Sequence, residues 1–391
     1  MNRLMRASGS EGLSVVGLFA GIGGIELGLH AAGHETVLLC DVDEGAQAVL
    51  REKFTGVPLV GDIRELVALP SIELCAAGFP CQDLSQAGRT AGIGGEQSGL
   101  VNEVFRLVTE TDVRWLLLEN VPFMLQLDRG EAMRFLTRSL EGLGFHWAYR
   151  VVDTRAFGVP QRRQRVTLLA SRTEDPRAVL FVGDEGEPET PKVEDVACGF
   201  YWTEGVRGLG WAVDAIPTLK GGSTIGIPSP PAIRLPNGFI GTPDLRDAER
   251  LQGFEADWTL PAAEGRRVGA RWKLVGNAVS VPVARWVGER LLDPRSYEGA
   301  SDEVLAATDP WPRAAWSTGE GARRADLSVW PVRESYQQLE SFLDYDVAPL
   351  SERATAGFLG RAKRSSLRFP PGFLEDVSAH LEAVRARAVA A

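Results

Sequence analysis

A cysteine follows a proline in GFPCQDLSQ, residues 78–86. Pro80 fixes its own φ, and Cys81 stands directly after an apolar run that reads as a strand. A thiol becomes a strong nucleophile when nearby positive charge or backbone amides stabilise its thiolate. Two other stretches offer partners for such chemistry. LENV (118–121) puts Glu119 at the end of another apolar run, either as a solvated strand end or as a proton-handling group. QRRQR (161–165) puts Arg163 and Arg165 on alternate residues entering a strand, so that they can face one side while Arg162 points the other way. GLFAGIGG (17–24) follows a strand and opens a helix. Its glycines let the backbone approach a ligand, and the helix start offers free amide donors. Asp41 ends the next strand about 20 residues on, the place for a ribose-hydroxyl acceptor. Glu26 stands where the third glycine of GxGxxG belongs, and the Lys-Ser/Thr of a phosphate loop is missing. A nucleoside cofactor and a merely tight turn both remain open. Asp62, in GDI (61–63), either accepts from an adenine amino group or caps a helix.

These residues need a scaffold, and the pattern supplies one. Residues 13–171 alternate short apolar runs (LSVVGLFA, HETVLLCDVD, IELCAAG, RWLLLEN) with amphipathic stretches such as LVNEVFRLVTE and GEAMRFLTRSLEGLG. Gly33 closes the first helix. FHWAYRVVD and RVTLLAS read as two late strands close together. Alternation of this kind predicts an open, mostly parallel α/β sheet, whose ligands sit at the carboxyl ends of the strands. FAGIGG, CDVD, GFPC and LENV all fall there. From residue 172 the texture changes to Gly, Pro and acid (GDEGEPETP, GGSTIGIPSPP), which predicts a loop-rich module. Helices return at 242–254, with Asp244 or Thr242 as the cap, and at 276–292. A Trp/Pro-rich linker, DPWPRAAW, precedes a helical tail. In that tail Phe373, Leu374, Val377, Leu381 and Val384 share one helix face.

The chain has 391 residues, 44% of them apolar, enough for two or three domains with a sizeable core. Neither a signal peptide nor a membrane span is legible, so a soluble, cytoplasmic protein is expected. Its four cysteines form no CxxC pair and its four histidines stand apart from them. Neither a metal site nor a disulfide framework is therefore expected; Cys40 and Cys75 read as small core residues. The net charge of −10 argues against a polyanionic partner. Distribution counts for more than the total, and basic residues cluster in QRRQR, GRRVGARWK (265–273) and GRAKRSSLR (360–368).

LFAGIGGIELGL, CDVD, GDI, GFPCQDLSQAG, SGL, LLLENV, QRRQR, RLQGF and GNAVSVPVA occur in that order. With them the chain resembles the DNA cytosine-5 methyltransferases over residues 13–171 and 241–292. The resemblance implies a Rossmann-like S-adenosylmethionine-dependent methyltransferase fold, with a smaller loop-rich target-recognition domain and a C-terminal helical extension. It implies that Phe19, Gly21, Ile22, Gly24, Asp41, Val42, Asp62, Ile63, Pro80, Leu100, Asn277 and Val279 bind S-adenosylmethionine. Many relatives carry Glu where this chain has Asp41, and Glu where it has Gln164. Cys81 matches the nucleophile, Glu119 the group on N3 and the exocyclic amine of the target base, Arg165 the contact to its O2, and Arg163 a support of the same pocket. Gln82 and Ser85, which follow Cys81, would hold the DNA backbone, and the loop 86–99 has the glycine content of a hinged lid. The target atom lies inside a duplex, so the base must be swung out. Lys220, Ser223, Thr224 and Arg234 are candidates to hold the opened DNA.

The expected domains are therefore 1–171, completed by 272–292; a target-recognition module at 172–271; and an extension at 293–391. The expected activity is methylation of cytosine C5 in a short sequence of double-stranded DNA, with S-adenosylhomocysteine as product. The enzyme would either be paired with a cognate restriction endonuclease or stand without one. A tRNA cytosine methyltransferase and a catalytically idle DNA-binding homologue are the alternatives. The pocket residues do not distinguish a non-standard sulfonium donor. The DNA sequence read is not legible.

Overall fold

The computed structural model describes residues 12–79, 99–221, 230–265 and 269–390. Two compact units emerge: Met1–Ala156 with Gln164–Glu187 and Val279–Val332, and Phe157–Arg163 with Pro188–Ala278 and Arg333–Ala391.

The larger unit is built on one sheet. Its strands are β1 (Ser14–Leu18), β2 (Glu35–Cys40), β3 (Leu59–Val60), β4 (Leu74–Ala77), β5 (Trp115–Asn120), β6 (His146–Asp153), β7 (Gln164–Ser171), β8 (Glu303–Val304), β9 (Ala314–Ser317) and β10 (Arg323–Arg324). They lie in the order β8-β10-β9-β6-β7-β5-β4-β1-β2-β3. The run from β3 to β5 is parallel; β7, β6, β9, β10 and β8 continue it antiparallel. The expected α/β sheet is thus a mixed sheet with a parallel core. Strand order reverses between β1 and β4, and such a reversal opens the crevice in which doubly wound sheets bind ligands. The parallel strands read as unbroken apolar runs because helices cover both faces. In the helix Val101–Thr109, for example, Val101, Val104, Phe105 and Val108 form a buried stripe.

The helix Val281–Leu292 returns to the first half of the chain and packs on the helix Gly24–Ala31. Glycine sets that approach. A β-carbon on Gly28 would lie 2.5 Å from the Val281 carbonyl oxygen, and one on Gly288 would lie 2.7 Å from the Ala32 β-carbon. His34 pins the same junction. Its Nδ1 accepts from the Leu13 amide at 2.9 Å, so Nε2 carries the proton and donates to Gly288 O at 3.0 Å. Burial lowers its pKa.

The sequence reading kept residues 293–391 as a single extension. The structure divides them. Residues 303–324 supply β8, β9 and β10 to the large sheet. Arg150, fully buried, ties this addition down: its guanidinium donates to Gly183 O at 2.7 Å, Ser328 O at 2.9 Å and Asp184 Oδ1 at 2.7 Å.

Residues from 333 onward belong to the smaller unit. Its five-stranded antiparallel sheet consists of Ala212–Val213, Cys198–Phe200, Ala232–Arg234, Ile240–Thr242 and Ala348–Pro349, in that order. The helices Glu352–Ala362 and Phe373–Ala390 cover it, and Phe200, Phe358, Phe373, Val377 and Leu381 make its core. The apolar face read from the tail is the face buried here, with Leu374 packed at its margin. Asp244 caps its helix, accepting from Arg246 N at 2.8 Å.

Candidate active site

The turn after β1 runs through three left-handed residues, Phe19 at φ 54°, Gly21 at 56° and Gly23 at 83°. A phenylalanine in that region costs roughly 1–2 kcal/mol, and residues held this way cluster at binding sites. The turn stays put because Asp41 holds it. One carboxylate oxygen accepts from the Gly21 amide at 2.7 Å and the other from the Asp43 amide at 2.8 Å. The two glycines do different work. A β-carbon on Gly23 would strike the Phe54 ring at 2.3 Å, whereas one on Gly21 would meet nothing within 4 Å. Gly21 therefore faces open space. Beside it Val42, 70% exposed, is an apolar side chain in search of cover. Ile22 and Gly24 are buried beneath the turn.

At the end of β3, Asp62 caps a 3-10 turn by accepting from Arg64 N at 3.0 Å, and it pairs with the Arg64 guanidinium. Those bonds lower its pKa. The capping role read as one of two possibilities is present; Ile63 beside it is buried.

The reversal point carries the chemistry. A β-carbon on Gly78, just past β4, would lie 3.6 Å from Val279 Cγ2, 3.7 Å from Glu119 Oε2 and 3.9 Å from Phe19 O. The ends of β1, β4 and β5 and residue 279 converge on one glycine. Glu119 Oε1 is 2.9 Å from Arg165 Nε, and each side chain is only 13% exposed. Arg165 enters β7, and Thr167 two residues later pairs with Glu119 across the sheet. Antiparallel pairing of β5 with β7 is what brings the arginine to the carboxylate.

Sequence reasoning missed Asn120. Buried next to Glu119, it donates from Nδ2 to Phe79 O at 3.0 Å and accepts from Val121 N at 2.9 Å. Phe79 is the last described residue before Pro80 and Cys81, so Asn120 fixes the point from which that stretch departs. The apolar run before LENV was the only available signal. Pro80, Cys81, Gln82, Ser85, Ser223, Thr224 and most of the lid (86–98) lie outside the described residues.

Glu26, the residue that breaks the glycine motif, is held in an unusual place. It is 1% exposed, its carboxyl has no hydrogen-bond partner among the described residues, and it fills the space where a side chain at Gly17 would go, with Oε1 2.0 Å from such a β-carbon. Burial, with help from the nearby Asp41 charge, raises its pKa to about 8. The other thiols are unreactive by the same physics. Burial pushes Cys40 and Cys75 up to about 12 and Cys198 up to about 11.

The remaining candidates belong to the smaller unit or stand at helix starts. Leu100 precedes the helix Val101–Thr109. Asn277 ends the helix Gly269–Asn277 and lies against Gly221, whose added β-carbon would be 2.2 Å from Asn277 Oδ1. Arg163 is 1% exposed and donates to three backbone carbonyls, Leu219 at 3.0 Å, Ala278 at 2.6 Å and Gly276 at 3.4 Å. It clamps residue 219 to the end of that helix. Lys220 lies over the Tyr201 ring at 3.6 Å and pairs with Glu204 at 2.8 Å. Arg234 pairs with Asp376 at 2.8 Å and donates to Val193 O at 3.2 Å.

A glycine turn, a tethered acid and a Glu–Arg pair thus stand around the reversal point of a doubly wound sheet. The comparisons give the family. Residues 13–197 match the model of the C-5 cytosine-specific DNA methylases. The type II methyltransferase M2.BsuMI of Bacillus subtilis (strain 168) is 51% identical over 366 residues, 90% of this chain and 94% of that protein. The type II methyltransferase M.Bsp6I of Bacillus sp. (strain RFL6) is 28% identical, over 71% of this chain and 98% of that one. The crystal structure of S. pombe Dnmt2 methyltransferase shares the fold with TM-score 0.51 at 16% identity, over 72% of this chain and 98% of that chain. The chain belongs to the C-5 cytosine-specific DNA methylase family.

Proposed function

We propose that this chain transfers a methyl group from S-adenosylmethionine to C5 of a cytosine within a short sequence of double-stranded DNA. The observation that carries the reading is the Glu119–Arg165 pair, 2.9 Å apart, beside Gly78 at the strand reversal. The residues present suit the cofactor. Gly21 leaves its side of the turn open, Asp41 presents a carboxylate there, and Val42 offers an exposed apolar surface for an adenine. Asp62, Ile63, Leu100, Asn277 and Val279 complete the set, with Phe19 and Pro80. When bound, the cofactor supplies a methyl group on a positively charged sulfur.

The chain's own residues do the rest. Cytosine C5 is a weak nucleophile. The Cys81 thiolate adds to C6, forming a carbon–sulfur bond and placing electron density on C5. Glu119 holds a proton toward N3 and hydrogen-bonds the exocyclic amine, and Arg165 contacts O2, so charge is withdrawn as the thiolate attacks. C5 takes the methyl group and leaves S-adenosylhomocysteine. A base, for which water suffices, then removes the C5 proton, and the C6–sulfur bond breaks to restore the ring and the thiolate. Arg163 has the role of a support of the base pocket, as the resemblance implies. Gln82 and Ser85 hold the DNA backbone. The smaller unit holds the opened duplex and reads the site, with Lys220, Ser223, Thr224 and Arg234 among its polar groups. The enzyme works in the cytoplasm, where a cognate restriction endonuclease would cut the same sequence when unmethylated. No helix among the described residues is long and apolar enough to cross a membrane.

The test is methyl transfer from labelled S-adenosylmethionine to duplex DNA and to tRNA, alongside methylation sequencing of DNA from an expressing host. Label in duplex DNA and one methylated motif in the host are expected. Label in tRNA alone would replace this reading with the RNA one.

A further inference from the structure

Between Glu352 and Glu375 the chain carries Arg353, Arg361, Lys363, Arg364 and Arg368 and no acidic residue, in a protein of net charge −10. Several exposed arginines elsewhere on the surface are neutralised in place, while others, such as Arg138 and Arg313, stand singly. Arg64 pairs with Asp62, Arg106 with Glu103, Arg246 with Asp244 and Arg385 with Glu352. The basic stretch behaves differently. Lys363, Arg364 and Arg368 are exposed at and beyond the end of the helix Glu352–Ala362, and none has an acidic partner among the described residues.

A structural device presents them. Arg361, one turn before Arg364, donates from Nε to Glu204 O at 2.9 Å and from Nη2 to Trp202 O at 2.7 Å. These bonds dock the loop 202–208 on the helix end. Gly205, at φ 105°, makes the seat possible, because a β-carbon there would already lie 3.0 Å from the Phe358 ring. The docked loop carries Arg207, also exposed and also without an acidic partner among the described residues. Burial and then repulsion from Arg364 lower the Arg361 pKa, so the two positive fields overlap. Four cations without acidic partners among the described residues, from two segments 156 or more residues apart in sequence, are thus carried by elements that Arg361 ties together in the smaller unit.

Unpaired cations repel one another, and an acidic protein has carboxylates to spare for quenching them. Their survival as a group fits a polyanionic partner. We propose that Arg207, Lys363, Arg364 and Arg368 form a phosphate-contacting surface that grips the backbone of duplex DNA. Such contacts supply affinity and register but carry no sequence information. The assignment rests on the reading of this chain as a DNA methyltransferase.

The test measures binding of a labelled, mixed-sequence duplex of about 30 base pairs to the full-length protein, by fluorescence anisotropy from about 50 to 300 mM salt. Each phosphate contact contributes about 0.9 to the slope of log affinity against log salt. The combined Arg207→Gln, Lys363→Gln, Arg364→Gln and Arg368→Gln variant should lower that slope by about 2 to 4. It should weaken binding at least about tenfold at about 100 mM salt, while turnover at saturating DNA stays unchanged. Replacing the three arginines by lysine should restore the slope, which a merely structural role would not allow. A wild-type slope in the glutamine variant overturns the proposal, as does a loss seen with tRNA but not with the duplex. A wild-type protein that binds no duplex at any salt overturns the DNA reading itself, and this surface with it.

Discussion

The crevice of the larger unit and the sheet of the smaller unit solve different problems with different materials. The crevice assembles its groups on the ends of four- to six-residue strands, β1, β4 and β5. Regular hydrogen bonding fixes where each strand stops, so Phe19, Gly78 and Glu119 arrive at one place. The smaller unit builds its sheet from strands of two or three residues. There, side chains fix the backbone: Arg163 on three carbonyls, Arg361 on two, Arg234 on one. Strand geometry places the groups of the crevice. Under the proposed function, the holding of DNA is hung on side-chain ties.

That contrast can be broken at the crevice first. Glu119→Gln keeps the shape of the side chain and removes its charge and its proton. Turnover should fall about 10²–10⁴-fold, while S-adenosylmethionine binding, followed by calorimetry, stays within about twofold. Equal losses in both would mean that Glu119 holds the fold and not the base.

Glu26 sharpens the contrast by pH. Its pKa is about 8 in the folded chain against 4.5 as an ordinary carboxyl. Between those values the folded protein holds a proton that the unfolded chain has lost, so stability falls as pH rises across that window and levels off above it. The full difference is at most about 5 kcal/mol. In Glu26→Gln, denaturant melts at a series of pH values should show that slope largely removed. An unchanged slope would assign it to other groups.

Asn120→Ala leaves Phe79 O without its partner. We expect about 1–3 kcal/mol lost from stability, together with a fall in turnover that exceeds any change in cofactor affinity. Wild-type turnover would show that the departure of the segment after Phe79 is fixed without this bond.

How much of this was legible follows the same division. Apolar runs ended by glycine or acid marked β1, β2, β4 and β5, and their ends fixed the cofactor turn and Glu119. Gly33 and Asp244 did the local work their residue types suggest. Two kinds of feature stayed hidden. Strands of two to four residues, such as Ala314–Ser317, are too short to show a period, and their place beside β6 depends on pairing with residues more than 160 positions away. Ties such as Asn120 to Phe79 or Arg361 to Trp202 join positions 41 and 159 residues apart, and no local pattern announces them. The one departure visible in the motif, Glu26 in place of a glycine, became interpretable only when Gly17 was seen to make room for it.

The central claim is tested most directly with duplex oligonucleotides carrying 5-fluorocytosine, whose fluorine cannot leave as the C5 proton does. In the presence of S-adenosylmethionine the account predicts a protein–DNA adduct that survives denaturation, maps to the Cys81 peptide and is absent from Cys81→Ala. An enzyme that methylates the ordinary duplex yet never retains the fluorinated one through that sulfur would contradict it.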